Sequence, residues 1–521
     1  MEDFSVQMKT SEKFTDPRFF ADNPKLEYVF IVSILLGQVF TQAAANAALP
    51  LLEVLTQYFH SSSVERTWFM SSFSLSQGAL ILISGRIGDL YGLRATVLWG
   101  YAWTMVWSVL CGVGAYLPHA TMFIVCRAMS GAGLAFVLPN VMGVAGRVYR
   151  PGTRRKHMIF SLIGLCAPLG GGVGPIFNGL IATLTTHWEW CFYHYAIGVA
   201  CALVLAWWSI PYLEPHRHED PEASVDWIGS AIGVSALVLF NFVWNQAPAV
   251  GWDCPYIIAL LIVSVLLIIG FFYYEKRFAK NPLVPHQVMN DITLSLTLLT
   301  LFLSWGSFGI LLFRFFVFVE ELRSYNPLQA GATLTPLVIS GMCAALACGL
   351  LIARIRIQYI LIFAMATFVC GDIMLLTMPV HQTYFRQSMG MWILGVWGMD
   401  MSFPAGSIIL SDNLPASLQG MAGSLLNTMI MYGMSLALGI AGTVEGEVAK
   451  RTDKLGVHKA CMEFALGLSS SSVVVAIIVA AITLHKLRQP VKKDIESDVG
   501  STTESDGKEP DLGEKIIVSN D

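Results

Sequence analysis

The sequence predicts an all-α membrane protein with fourteen transmembrane helices, and three observations carry that prediction. The 521 residues are 55% hydrophobic and only 13% charged, with a mean hydropathy of +0.60, whereas soluble domains run near 45–50% apolar and about 25% charged. The apolar residues gather into fourteen runs, each close to the ~20 residues a helix needs to cross the hydrocarbon. The Lys and Arg residues collect between alternate runs, the pattern that orients a multi-span chain.

The runs lie at 28–51, 67–85, 95–115, 119–141, 158–182, 189–212, 227–247, 256–274, 292–318, 330–352, 358–378, 388–410, 419–442 and 468–487. They are too long for strands and lack period-two alternation, which excludes a barrel. The residues before the first run are polar and contain no short apolar core with a cleavage site, so the first span is expected to act as the targeting element. The second run leads into "SGRIGDLYGLR" (Ser84 to Arg94), the fourth carries Arg127, and the fifth is glycine-rich with Pro168 and Pro175. Arg314 closes the ninth, where it is expected to snorkel to the interface, and Asp372 and Asp400 lie in the eleventh and twelfth. From Gln489 the chain is polar and acidic, a composition that cannot bury enough apolar surface to fold. An even number of spans puts both tails on one side. With the tails inside, 23 of the 32 Lys and Arg fall on the inner side and seven on the outer, so both termini are expected in the cytoplasm.

Several function classes drop out. There is no GxxxxGK[ST] loop to hydrolyse a nucleotide and no Cys/His cluster with zinc spacing. The chain is therefore expected to be no enzyme, to carry no cofactor and no metal, and to draw any transport work from a gradient. A net charge of -4 suggests no nucleic-acid partner. Of ten cysteines only Cys254 and Cys461 lie in expected loops, leaving one pairing open on the outer side.

The stretch Gly85-x-x-Gly88-Asp89-x-x-Gly92-x-Arg94, between spans two and three, resembles the signature loop of the major facilitator superfamily. "FIVCRAMSGAG" (Phe123 to Gly133) is similar to its fourth-span motif, and "GGGVGPIFNGL" (Gly170 to Leu180) to its fifth-span antiporter motif. "HWEWCFY", "VDWIGS", "KNPLVP" and "YNPLQAGATLTPL" resemble the fourteen-span drug:proton antiporter branch. "GQVFTQAAANAALPLL" in span one and "GVWGMDMSFPAGSIILSD" in span twelve resemble the fungal aminotriazole-resistance and boron-efflux group, some of whose relatives are described as low-affinity ammonium transporters. The resemblance covers about residues 28 to 487 and implies two six-helix bundles plus two extra spans. It divides the chain into an N-tail (1–27), a first bundle (28–212), a linker with the extra spans (213–291), a second bundle (292–487) and a disordered acidic tail (488–521).

It also implies roles. Gly85, Gly88, Asp89, Gly92 and Arg94 would form a conformational switch in which the carboxylate is held in one state and released in another; the alternative is a loop that only sets topology. Leu90 and Leu93 stand where the family usually has basic residues. Arg127 is assigned a part in proton coupling; the alternative is an arginine tying helices together through backbone carbonyls. Many drug antiporters carry an Asp where span one here has Thr41, which turns attention to Asp400, with Asp372 second, as proton carriers: a mid-span charge is costly and a proton removes it. The alternative for Asp400 is a hydrogen-bonded carboxylate that merely shapes the cavity. Gly170, Gly174, Pro175 and Gly179 are expected to supply close packing and a bend, with Asn178 replacing one of the motif's paired glycines. Gln38, Gln42, Asn46 and Asn178 are expected to line a cavity or to bond between helices.

The leading expectation is a proton-coupled exporter of small toxic compounds that works by alternating access. Alternatives are an importer or facilitator of a small neutral or weakly basic solute, ammonium- or borate-like, and a non-transporting nutrient sensor. The expected partners are a small-molecule substrate, protons and membrane lipid, the expected state a monomer, and the expected location the plasma membrane or, second, the vacuolar membrane.

Overall fold

A computed structural model describes residue 20 and residues 23–488 apart from 63, 118, 150–152, 186, 215–223, 285, 353 and 415–418. The expected tails therefore lie largely outside the described residues. Among these residues the long elements are helices and there are no strands: α1 Pro24–Asn46, α2 Trp68–Tyr91, α3 Leu93–Val113, α4 Ala120–Val148, α5 Arg154–Thr185, α6 Trp190–Ser209, α7 Trp227–Val250, α8 Pro255–Arg277, α9 Ile292–Val317, α10 Thr335–Ile352, α11 Ile357–Leu376, α12 Ser388–Asp412, α13 Gln419–Val448 and α14 Lys454–Arg488. The chain is one compact unit through Val479, and from Ala480 a second, short unit contains the last turns of α14.

Local chemistry sets the element ends. Asn23 caps α1, its side chain accepting from Leu26 N at 3.3 Å, with Pro24 in the first turn. Pro50, which cannot donate a backbone hydrogen bond, falls just after α1; the chain passes through a tight turn, Leu49–Leu51, into a short helix, Leu52–Phe59. Gly92 joins α2 to α3 at φ 116, a backbone state open to glycine and strained for other residues. The loop expected between spans two and three is thus one residue long. Asp226 and Asp291 cap α7 and α9, and Asn326 with Gln329 forms a capping box at the short helix Pro327–Ala332.

Among the described residues, thirteen helices are long and apolar enough to cross a membrane. The exception is α2, equally long at 24 residues. Its Ser71, Ser72, Ser74 and Gln77 lower its hydropathy, and all four are buried because α2 packs between α4 and α13 rather than against lipid. The fourteenth expected span is therefore present as a helix that protein, not lipid, surrounds. This is the all-α architecture of two six-helix bundles with two extra helices.

The bundles meet along two seams. On one, α2 lies on α13: a Cβ on Gly78 would sit 2.9 Å from Tyr432 N, and one on Gly85 would sit 2.8 Å from Ser424 Oγ. On the other, α5 lies between α1 and α10. Gly170 and Gly174 touch the backbone of Val39 and Ala43 in α1, whereas Gly172 faces Val338 and Gly179 meets Pro327. Pro168 and Pro175 sit inside α5, which stays helical through both. The extra helix α7 packs on α8 and against α13 and α2.

Three expectations need correction. α14 begins at Lys454, not near 468, so Lys459 and Cys461 belong to a helix rather than a loop. Cys461 is buried against Arg314 and Ala441, and both it and Cys254 are free thiols, so the pairing left open is not made. Arg314 does not snorkel; it is 3% exposed because Glu445 holds it inside.

Close packing at the α2–α13 seam carries a direct test. Gly78→Val is expected to destabilise the protein by about 1–3 kcal/mol through overpacking, read as a lower unfolding midpoint in detergent. Gly164→Ala, where a Cβ meets nothing within 4 Å, should leave the midpoint unchanged. Equal midpoints for both variants would show the seam to be looser than described.

Candidate functional site

Both bundles contribute to one small cavity. Its walls are Gln42, Ala45 and Asn46 of α1, Ala167 and Gly171 of α5, Trp305, Phe308 and Leu312 of α9, Leu337 of α10, Met399 of α12, and Met431 and Met434 of α13. At about 30 Å³ it has room for a water or two, far less than a drug-sized site. The lining is apolar, aromatic and thioether-rich, with two amides and no charged side chain.

The amides sit where α1 stops. Ending a helix leaves its last carbonyls without partners, and in lipid such groups must be satisfied by the protein itself. Arg127 of α4 donates to Ala44 O at 2.8 Å and Ala45 O at 3.3 Å, and its Nε donates to Phe69 O at 3.3 Å. Its guanidinium lies 4.9 Å from the centre of the Phe73 ring. Asn178 donates to Ala47 O at 2.8 Å, and Asn46 donates to Gly171 O at 3.1 Å. The structure thus places Gln42 and Asn46 on the cavity wall, while Asn178 and Arg127 cap the break in α1. Gln38 is buried with its Oε1 unpartnered, and Thr41 donates back to Gly37 O at 2.7 Å.

The two carboxylates occupy different surroundings. Asp400 is 7% exposed, and its Oδ2 has no hydrogen-bond partner. It points at the crossing of α12, α10 and α5: a Cβ on Gly341 would lie 2.5 Å both from Asp400 Oδ2 and from Pro168 Cβ. Asp372 is fully buried and knits three helices, its Oδ2 accepting from Ser307 of α9 at 2.5 Å and Ser469 of α14 at 2.6 Å.

At the end bearing the α2–α3 turn, Asp89 pairs with Arg147 of α4 at 3.1 Å, and Arg147 also donates to Glu214 O. Arg94 donates to Trp207 O of α6 at 2.6 Å. Leu90 and Leu93 are buried; Leu93 fills the groove beside Gly143 of α4. Nearby, Glu27 accepts from Tyr149 at 3.1 Å and Arg155 at 2.6 Å. Burial, with the Glu27 carboxylate adding to it, holds the Tyr149 hydroxyl well above its ordinary pKa.

At the opposite end lies a group of charges that reading the sequence missed. Arg66, expected in a loop, is 1% exposed and pairs with Glu321 and, at 3.6 Å, with Glu445, which holds Arg314 at 2.6 Å. Glu53 N donates to Glu320 at 2.9 Å. Alternating acids and bases around residues 53–66 and 314–321 were the available signal, but more than 250 positions separate the partners.

Residues 34–438 match the family model for the Major Facilitator Superfamily. The chain is 44% identical over 440 residues to the aminotriazole resistance protein of Saccharomyces cerevisiae, covering 84% of this chain and 81% of that protein. It is 38% identical over 476 residues to the low affinity ammonium transporter of the same yeast, covering 90% and 91%. It is 35% identical over 475 residues to an efflux pump of Aspergillus terreus, covering 89% of each.

Removing the cap on α1 should be costly. Arg127→Ala takes the described donor from the Ala45 carbonyl, at about 1–3 kcal/mol for a group left unsatisfied, and a second donor from the Ala44 carbonyl, which keeps the Ala47 N–H, and from the Phe69 carbonyl at the start of α2. A fall in the detergent unfolding midpoint larger than that of Asn178→Ala, which strips one carbonyl, is the expected result. An Arg127→Ala protein as stable as the native one would mean that the guanidinium is not needed to hold α1.

Proposed function

This chain is a transporter belonging to the major facilitator superfamily, and from that premise we propose that it exports small, uncharged or weakly basic toxic compounds in exchange for protons. One observation carries the proposal: a buried carboxylate, Asp400, has an oxygen without a partner at the α5–α10 seam, next in sequence to the cavity-lining Met399. An ionised carboxylate buried without a partner is strongly disfavoured, whereas a protonated one is tolerated. Protonated Asp400 therefore suits the closed seam described here. When the seam opens, water reaches Asp400 and the proton leaves, so the proton state and the conformation are linked.

The cavity speaks to the cargo. Its aromatic rings, thioethers and leucines favour compact apolar or flat molecules, and the Gln42 and Asn46 amides supply neutral hydrogen-bonding groups. In the present conformation the space is too small for such a molecule, so cargo enters only when the bundles part. The contact that forms and breaks as they rock is Gly85 against Ser424 at the α2–α3 end, while the pair of Asp89 with Arg147 beside it ties α2 to α4 within the first bundle. On this reading the α2–α3 end is cytoplasmic, the first bundle is 28–212 and the second 292–487. The extra spans of the linker stand outside the rocking pair, and the protein works as a monomer in the plasma membrane.

A second reading, import of a small ammonium-like solute, is favoured by the small cavity and by the relative named as an ammonium transporter.

Overexpression decides the direction: export predicts raised tolerance to the affected compounds in a screen of azoles, borate and weak bases, and import predicts sensitivity. For the best responder, Asp400→Asn should cut proton-driven efflux by about tenfold or more, in line with loss of a positioned proton-transfer group. Efflux that keeps its full dependence on the proton gradient in Asp400→Asn would rule out this carrier.

A further inference from the structure

The charges opposite the α2–α3 end, buried apart from the partly exposed Glu53 and the exposed Lys454, join the two bundles. From the first bundle come Glu53, on the short helix after α1, and Arg66, just before α2. From the second come Arg314 of α9, Glu320 and Glu321 on the turn Phe318–Leu322 that ends α9, Glu445 of α13, and Lys454 at the start of α14. The pairs account for three cations and three of the acids. Arg66 holds Glu321 and lies 4.0 Å from Glu53 and 3.6 Å from Glu445; Arg314 holds Glu445; Lys454 lies 3.5 Å from Glu321.

Glu320 is the fourth acid, and no described cation forms an ion pair with it. Its Oε2 accepts from Glu53 N at 2.9 Å, a bond from one bundle to the other, and its Oε1 is buried without a partner. It sits at the carboxyl end of α9, where helix carbonyls concentrate negative charge, beside Glu321 and Glu53. On α14, His458 packs its ring 4.8 Å from that of Phe318, and Cys461 contacts Arg314. The described cations around this corner are Arg66, Arg314, Lys454 and Arg323, whose guanidinium lies 5.0 Å from the centre of the Phe318 ring, and none of them forms an ion pair with Glu320.

We infer that Glu320 is a proton-binding site that closes the outer mouth of the transporter: its Oε1 carries a proton while the bundles are joined through Glu53, and loses it when this end opens to water. The inference rests on the proposed orientation, in which this end faces outward. The physical cause is the difference in surroundings between the two states. Joined, Oε1 is buried and no described donor holds a negative charge there; parted, it is hydrated and ionises like an exposed glutamate. Because the joined state binds the proton more tightly, protons shift the equilibrium toward it. Sign and direction follow: the joined population grows as pH falls. In an exporter, external acid would then shut the mouth after cargo has left. Asp400, at the seam near the cavity, lies elsewhere and serves the coupled exchange.

The test needs no transported compound. Nitroxides introduced through unnatural amino acids at the exposed His60 and Lys450 report the distance between bundles at this end by pulsed electron resonance on the purified full chain. In the native protein, moving from mildly alkaline to mildly acidic buffer should raise the short-distance population several-fold. Glu320→Gln keeps a neutral acceptor for Glu53 N and should hold the short distance at every pH. Glu321→Gln, one residue away, should weaken closure throughout yet keep the pH response. A native protein whose distances ignore pH, or lengthen as pH falls, overturns the inference, as does a Glu320→Gln protein that still responds. The native measurement stands even if the variant fails to fold. Failure of the efflux reading would show instead as an absent tolerance phenotype with this pH response intact.

Discussion

Most of the geometry around the cavity follows from α1 ending inside the bundle. At the break the Ala45 and Ala47 carbonyls are taken up by side chains, and the Ala44 carbonyl, which accepts the Ala47 N–H, takes a second bond from Arg127; hydrocarbon offers no water for such groups. Two helices answer from different directions: α4 with Arg127 and α5 with Asn178. A guanidinium suits the larger share, because its rigid fork reaches two successive carbonyls while its face rests on Phe73. With α1 held in this way, Gln42 and Asn46 are fixed on the cavity wall. The glycines of α5 then lie flat on α1, which lets α5 reach the opposite bundle with its other face.

The two ends of the bundle are built on different energetics. At the α2–α3 end the ion pair Asp89–Arg147 is about 40% and 30% exposed respectively, and such pairs contribute roughly 0–1 kcal/mol. What joins the bundles there is glycine-backed contact, Gly85 against Ser424, which parts without stranding a charge. At the other end Arg66 is buried among acids from both bundles, and separating such a pair without water is costly. Parting the bundles at that end therefore requires water to enter together with the motion. A mouth that opens only as it hydrates suits a path that must not leak ions.

Reading the sequence recovered the spans because hydrophobic length is a local property, visible in any window of twenty residues. It went wrong where polarity was local but burial was not. The run 67–85 reads as a span like the others, and that protein surrounds its serines is visible only from the place of α2 between α4 and α13. Arg314 reads as a snorkelling residue, since Glu445 lies 131 positions away. Arg66 reads as a loop cation for the same reason. The position of Arg127 within a span was legible, but the carbonyls it caps were not, because they exist only through the turn at Leu49–Leu51 two helices earlier. Leu90 and Leu93 read as lost cations of a motif; in three dimensions both are buried, and Leu93 fills the groove between Gly88 of α2 and Gly143 of α4. The place of Asp400 in the middle of a span was legible, while the space at Gly341 that receives its oxygen is visible only with α10 and α5 in place.

The placement of Asp400 relative to the cavity bears on how a single protein of this kind handles varied cargo. Successive residues on a helix point about 100° apart, so Met399 faces the cavity while Asp400 faces the α5–α10 seam. In the proposed exchange, a proton gained or lost at Asp400 acts on the packing between bundles and has no need to touch the cargo. The walls that do touch it are thioethers, rings and leucines, which adapt to shape rather than demand a fixed hydrogen-bond pattern. The proposed function thus gives coupling to the seam and recognition to the compliant cavity, as separate tasks of neighbouring residues. That separation lets the identity of the cargo change, by substitutions along α9, α12 and α13, while the proton step stays as it is.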